Sequence, residues 1–99
     1  MYKIFWLNSA INDLTRIKDF LLEVNLSSAK KATILLKEST NKLQNFPFIG
    51  KPVEDLEDFY DLYIKHGAYG YHLRYKIFRK TIYIVHIKHM KELDFLFDL

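Results

Sequence analysis

An α+β fold with the order β-α-α-β-β-β is predicted by three observations on this 99-residue chain. A short aromatic strand opens it. Two stretches of helical apolar spacing follow, joined by a link too short for anything but an antiparallel pair. Three late segments then alternate at strand spacing with short connections between them. The expected architecture is an N-terminal strand and a helix hairpin packed on an antiparallel sheet of about four strands, as one domain over residues 1–99.

Each element follows from its residues. "YKIFWL" (2–7) is aromatic and β-branched, which suits a pleated surface. Asn8 or Ser9 offers a helix N-cap, with Asp13 near the positive end of the helix. Ala10, Leu14, Ile17, Leu21 and Val24 form one apolar stripe. "NLSS" interrupts it, and Ser27 or Ser28 can cap a second helix. Ala29, Ala32, Leu36, Leu43 and Phe46 mark that helix's inner side, with Lys30, Lys31, Lys37 and Lys42 outside. Pro47, Gly50 and Pro52 stop it. "FYDLYIK" (59–65) is a strand, "HGAYG" a turn, "YGYHLRYKIF" (69–78) a second strand, and "TIYIVHIKH" (81–89) a third. The tail "MKELDFLFDL" suits a short helix or an extended apolar arm.

Composition narrows the function classes. There is no cysteine, which excludes disulfides and thiolate chemistry and fits a reducing cytoplasm. No apolar run is long enough to span a bilayer, so no membrane partner is expected. The net charge of +3 is unevenly spread. Residues 54–61 carry Glu54, Asp55, Glu57, Asp58 and Asp61. Residues 65–92 carry Lys65, Arg74, Lys76, Arg79, Lys80, Lys88 and Lys91 against Glu92. A basic surface behind an acidic loop suits nucleic acid, ribosomes or acidic protein segments, or is a solvated charged face.

The strand 69–78 puts His72, Arg74 and Lys76 in one row. A two-residue turn at Arg79-Lys80 pairs Phe78 with Thr81, Arg74 with Val85 and His72 with Ile87. That register gathers His72, Arg74, Lys76, Tyr83, Val85, Ile87, His89 and Lys91 on one face. Leu73, Tyr75, Ile77, Ile82, Ile84 and His86 then face the helices. Cations mixed with aromatic and aliphatic surface suit docking of a protein or nucleic acid. His86 among apolar neighbours reads as a hydrogen-bonded core histidine. His72 and His89 are each a candidate general acid or base, or a surface histidine. Arg74 could clamp a phosphate or carboxylate, or pair with the acidic loop. Tyr71 and Tyr75 suit the core better than base stacking. No phosphate loop, nucleophile elbow or metal motif occurs, and parity separates His86 from His72 and His89, so no metal or other cofactor is expected.

Two segments resemble the RelE/ParE toxin superfamily of bacterial type II toxin–antitoxin systems. "WLNSAINDLTRI" resembles a strand followed by W-x-x-x-A-x-x-D-L-x-x-I. "FPFIGKP", "GYHLRYKI" and "IVHIKHMKE" resemble P-x-x-G-x-P, then G-Y-x-L-x-Y, then a last strand ending in H-x-[RK]-[EQ]. The order and spacing cover essentially the whole chain. The resemblance implies the fold derived above and a cognate antitoxin covering the basic face in a hetero-oligomer. RelE-like members cut mRNA on the ribosome with basic residues. Here their arginine in G-Y-R-L falls on His72, the later one on Lys91, Arg74 takes an aliphatic place, and Tyr60 stands in the L-R-E-L segment. ParE-like members poison DNA gyrase. The N-terminal half is more similar to these, so a ParE-like gyrase inhibitor is the first expectation. A ribosome-dependent endonuclease is the second, with His72, Arg74, His89 and Lys91 as its catalytic set. An inactive relative that only binds its partner is a third. Lys76, Tyr83, Val85, Ile87, Phe95, Leu96 and Phe97 are the expected partner-binding residues.

Overall fold

The computed structural model describes residues 1–90 and Glu92. The elements are β1 (Lys3–Trp6), α1 (Asn8–Val24), α2 (Leu26–Lys42), β2 (Lys51–Pro52), β3 (Phe59–His66), β4 (Tyr69–Phe78) and β5 (Thr81–His89). They form one five-stranded sheet in the order β1-β5-β4-β3-β2. The expected meander of β3, β4 and β5 is antiparallel throughout. Two features extend the expectation. β1 adds to the far side of β5 in parallel, so the sheet is mixed, and the two-residue β2 covers part of β3. The helix hairpin lies on one face. Arg79 turns the β4–β5 hairpin with φ +57°, a left-handed conformation at a non-glycine residue.

Local signals account for most boundaries, with two corrections. α1 starts after Leu7, whose side chain makes no cap; Ser9 instead donates to the Val85 carbonyl across the sheet at 2.6 Å. α2 is capped by Asn25, which accepts from the Ser28 amide at 2.7 Å, rather than by Ser27 or Ser28. Asn25 wins because the break between the helices is a single extended residue, placing it at the N-cap.

The core lies between hairpin and sheet. Ala10, Ile17, Ala29, Ala32, Leu36 and Leu43 come from the helical side; Leu73, Tyr75, Ile77, Ile82, Ile84 and Ile87 come from the sheet. Trp6, Leu14 and Leu21 pack against this core while partly exposed. Val24 and Phe46 depart from their stripes, at 61% and 60% exposed, because each lies at or past the end of its helix. Tyr75 is fully buried. Its hydroxyl donates to the Pro47 carbonyl at 2.8 Å and accepts from the Gly50 amide at 2.9 Å. A Cβ on Gly50 would stand 2.6 Å from that oxygen, so the close approach requires glycine.

The register of β4 on β5 departs from expectation in one place. Phe78 pairs with Thr81 and Tyr75 with Ile84, but Arg74 pairs with His86, and Leu73 with Ile87. Val85 is the extra residue of a β-bulge. Ile87, Lys88 and His89 beyond it change sides relative to the simple two-residue count, while His86 next to it still reaches Asp13 of α1. Ile87 therefore does not stand on the basic face beside His72; it is fully buried opposite Leu73.

Candidate functional site

The sheet face away from the helices carries the cations, in an order set by cross-strand pairing. Phe59, Asp61 and Tyr63 of β3 stand opposite Lys76, Arg74 and His72 of β4. Lys76 lies 5.3 Å from the centre of the Phe59 ring, a cation–π contact. Across β5 it faces Tyr83, whose ring lies 5.9 Å from that of Phe5 on β1. The Tyr63 and His72 rings are 5.7 Å apart. Phe5, Tyr63 and Phe78 are about half exposed. The face thus interleaves rings and cations.

Arg74 occupies the centre of this face but is not presented to solvent. It is 3% exposed, and its Nε and Nη2 donate to the two Asp61 carboxylate oxygens at 2.8 and 2.9 Å. This is the planar two-point fork that guanidinium makes with a carboxylate. The sequence allowed either a phosphate clamp or pairing with the acidic stretch, and the pairing is what forms.

His89 joins a different group. Beyond the bulge it pairs with Tyr71, whose ring stands 5.4 Å from it edge-on, and the Tyr69 ring lies 5.8 Å away. His66 flanks Tyr71 from the other side at 6.2 Å. The His66, Tyr71 and His89 rings border a cleft of about 550 Å³ lined on the helical side by Ile17, Phe20 and Leu21. Burial, aided by the negative charge of Glu92, raises the Tyr71 phenol above its ordinary pKa. The expected grouping of His89 with His72 and Arg74 on one face is therefore corrected, for the same reason as Ile87. Lys91, Phe95, Leu96 and Phe97, and the expected tail conformation, lie outside the described residues.

A cluster that the sequence reading did not anticipate ties α1 to β5. Asp13 is 5% exposed. Its Oδ2 accepts from the Ile87 amide and from His86 Nδ1, both at 2.9 Å, and its Oδ1 accepts from Arg16 at 2.6 Å. Arg16 continues to Glu92 at 2.9 Å, and Glu92 accepts from the His89 amide, also at 2.9 Å. Partial burial opposes the Arg16 charge, yet its Asp13 hydrogen bond and the Glu92 charge outweigh this and raise its pKa. His86 is hydrogen-bonded, as its surroundings suggested, but it is only partly buried and pairs with Arg74 rather than standing opposite Leu73. Ser9, Asp13 and Arg16 are spaced four and three apart, so they share one side of α1. That polar stripe beside Ala10, Leu14 and Ile17 is the signal that could have revealed the cluster. Among the described residues no group of three or more His, Asp or Glu is placed to hold a metal ion.

The family model described as ParE toxin of type II toxin-antitoxin system, parDE, matches residues 4–94. The chain belongs to this family. Toxin RelE3 of Caulobacter vibrioides is 29% identical over 83 residues, covering 84% of this chain and 88% of that one. Among solved structures, the chromosomal ParDE toxin–antitoxin system from P. aeruginosa aligns with a TM-score of 0.74 at 22% identity, over 92% of this chain and 98% of that chain. The intact E. coli RelBE toxin–antitoxin complex aligns at 0.62 and 16% identity, over 93% and 100%. These likenesses establish the fold as that of ParE and RelE toxins. The two motif segments of the sequence acquire physical roles within it. The Asp of W-x-x-x-A-x-x-D-L-x-x-I is the bulge-binding Asp13, and the glycine of P-x-x-G-x-P is Gly50 beneath Tyr75.

Proposed function

We propose that this ParE-family toxin is held by a cognate antitoxin and, once released, acts on DNA gyrase by docking rather than by cutting mRNA. The observation that carries this reading is the separation of the titratable candidates. Ribonuclease chemistry needs a proton acceptor, a proton donor and a cation converging on one phosphate. Here the Arg74 guanidinium is committed to Asp61, and His89 stands with Tyr71 and the helix-side cleft rather than beside His72. The face with Lys76, Tyr83, Phe5 and Tyr63 is instead a mixed apolar and cationic surface of the kind that docks a macromolecule. The antitoxin partner is supported by family membership and by solved relatives that are toxin–antitoxin systems.

The test is to add the purified toxin to a gyrase supercoiling assay and, in parallel, to a translating extract. Inhibited supercoiling with intact mRNA is the expected result. Codon-positioned mRNA cuts with unaffected gyrase would establish the endonuclease instead, and neither effect would point to an inactive relative. Within a docking mechanism, Lys76→Ala and Tyr83→Ala each weaken inhibition in a graded way, by about five- to thirtyfold, whereas loss of a catalytic group costs orders of magnitude.

A further inference from the structure

The outer edge of β3 is covered over part of its length. β2 pairs with Tyr60 and Asp61, and the Val53 amide donates to the Phe59 carbonyl at 2.9 Å. The covering chain then leaves the edge, drawn toward the helices by the Gly50–Tyr75 hydrogen bond. Backbone polarity alternates along β3. The Asp58 carbonyl faces β4, accepting from the Ile77 amide at 3.0 Å, and the Phe59 carbonyl faces outward. The β3–β4 register runs without a shift from Phe59 to His66, so the alternation persists and Tyr63 and Lys65 also face outward. Their two amides and two carbonyls have no backbone partner among the described residues. Such a row is a template for another strand.

We propose that this edge takes an extended acidic stretch of the partner protein as an additional strand, with a carboxylate beside Lys65 and an apolar or aromatic side chain against Tyr63. The inference rests on the reading that the chain has a cognate antitoxin, and it names where part of that partner docks. Charge selects the occupant. Lys51, Lys65 and His66 border the edge and are exposed, and Asp61, the carboxylate on β3 itself, is engaged with Arg74. Tyr63 is 49% exposed and offers a flat apolar surface. A second copy fits less well. Symmetric antiparallel pairing of two such edges would set Tyr63 opposite Lys65 and make the two Lys65 side chains diagonal neighbours on one face, an arrangement of like charges.

The experiment is amide hydrogen exchange on the chain alone and in complex with the protein encoded beside it, co-expressed and co-purified. The Tyr63 and Lys65 amides should exchange rapidly in the free chain and slow by about 100-fold or more in the complex. Lys65→Glu should weaken the complex about five- to tenfold while leaving the melting curve of the isolated chain in place, and Lys65→Arg should retain binding. A complex of defined stoichiometry with both amides still exchanging rapidly would overturn the inference and leave the toxin–antitoxin reading intact. Protection that appears in the chain alone as its concentration rises would assign the edge to a second copy and overturn the proposal. Failure to form any complex would overturn the partner reading itself, and the inference with it.

Discussion

β5 beyond Ile84 and β3 beyond Asp61 face the same physical problem, because each strand outlasts its outer neighbour, β1 or β2. They meet it differently. On β5 the outward groups are taken in sequence: the Ile84 carbonyl by the Leu7 amide, the Val85 carbonyl by Ser9, the Ile87 amide by Asp13, and the His89 amide by Glu92. Leu7, one side of α1 and Glu92 together thus substitute for a missing strand. On β3 no helix among the described residues supplies such side chains, and Tyr63 and Lys65 keep a lysine-bordered edge. A strand edge closed from within contributes to folding, whereas one left open is available to a partner.

The comparison breaks most directly at Asp13. Asp13→Ala removes the acceptor for the Ile87 amide and strips Arg16 and His86 of their shared carboxylate. It should lower the unfolding free energy by about 3–5 kcal/mol in urea titration. An unchanged midpoint would mean that the bulge is held by something other than α1. Tyr75→Phe tests what draws the chain off β3. It strands the Gly50 amide and Pro47 carbonyl and should cost about 1–3 kcal/mol. It should also change the response to alkali. Burial pushes the Tyr75 phenol up to about 12, with the Gly50 hydrogen bond opposing and the charges of Tyr60 and Asp61 adding. The folded state therefore favours the neutral phenol. That contribution is complete below the ordinary phenol value of 10.0 and is lost as pH rises toward about 12. Unfolding curves across this window should flatten in Tyr75→Phe, leaving the smaller share from Tyr71.

Ser9→Ala removes one acceptor's partner near the start of the capped edge, with an expected loss of about 1 kcal/mol in thermal melting. Lys65→Glu, on the open edge, should move stability by less than about 0.5 kcal/mol. A large loss there would show that the β3 edge is closed within the molecule after all.

How much was legible follows the range of the forces. The helices, the three long strands and the hairpin start at Phe78–Thr81 arise from local periodicity and turn residues, and the sequence carried them. Tyr71 and Tyr75 as core residues followed from parity alone. The bulge at Val85 did not. Its outward Ile87 amide is satisfied by a residue 74 positions earlier, so no neighbouring residue marks it. Ile87 and His89 beyond it therefore lie on the side opposite to the one that simple counting predicts. Asp13 was legible as a helix residue but not as an edge cap, because the edge it serves exists once the sheet is assembled. Arg74 was legible as a cation, and Asp61 as a carboxylate; their union required the register of β3 on β4.

The parallel pairing of β1 with β5 also sets an order of events during synthesis. β1 stands at the end of the sheet, and its strand neighbour begins at Thr81. A nascent chain that has passed residue 60 already holds Phe5, Trp6 and both helices, but not the strands β4 and β5 on which they close. Contacts this distant in sequence form late. The polypeptide must therefore emerge past Ile84 before its first strand is in place, and until then the aromatic side chains of that strand lack their sheet neighbour.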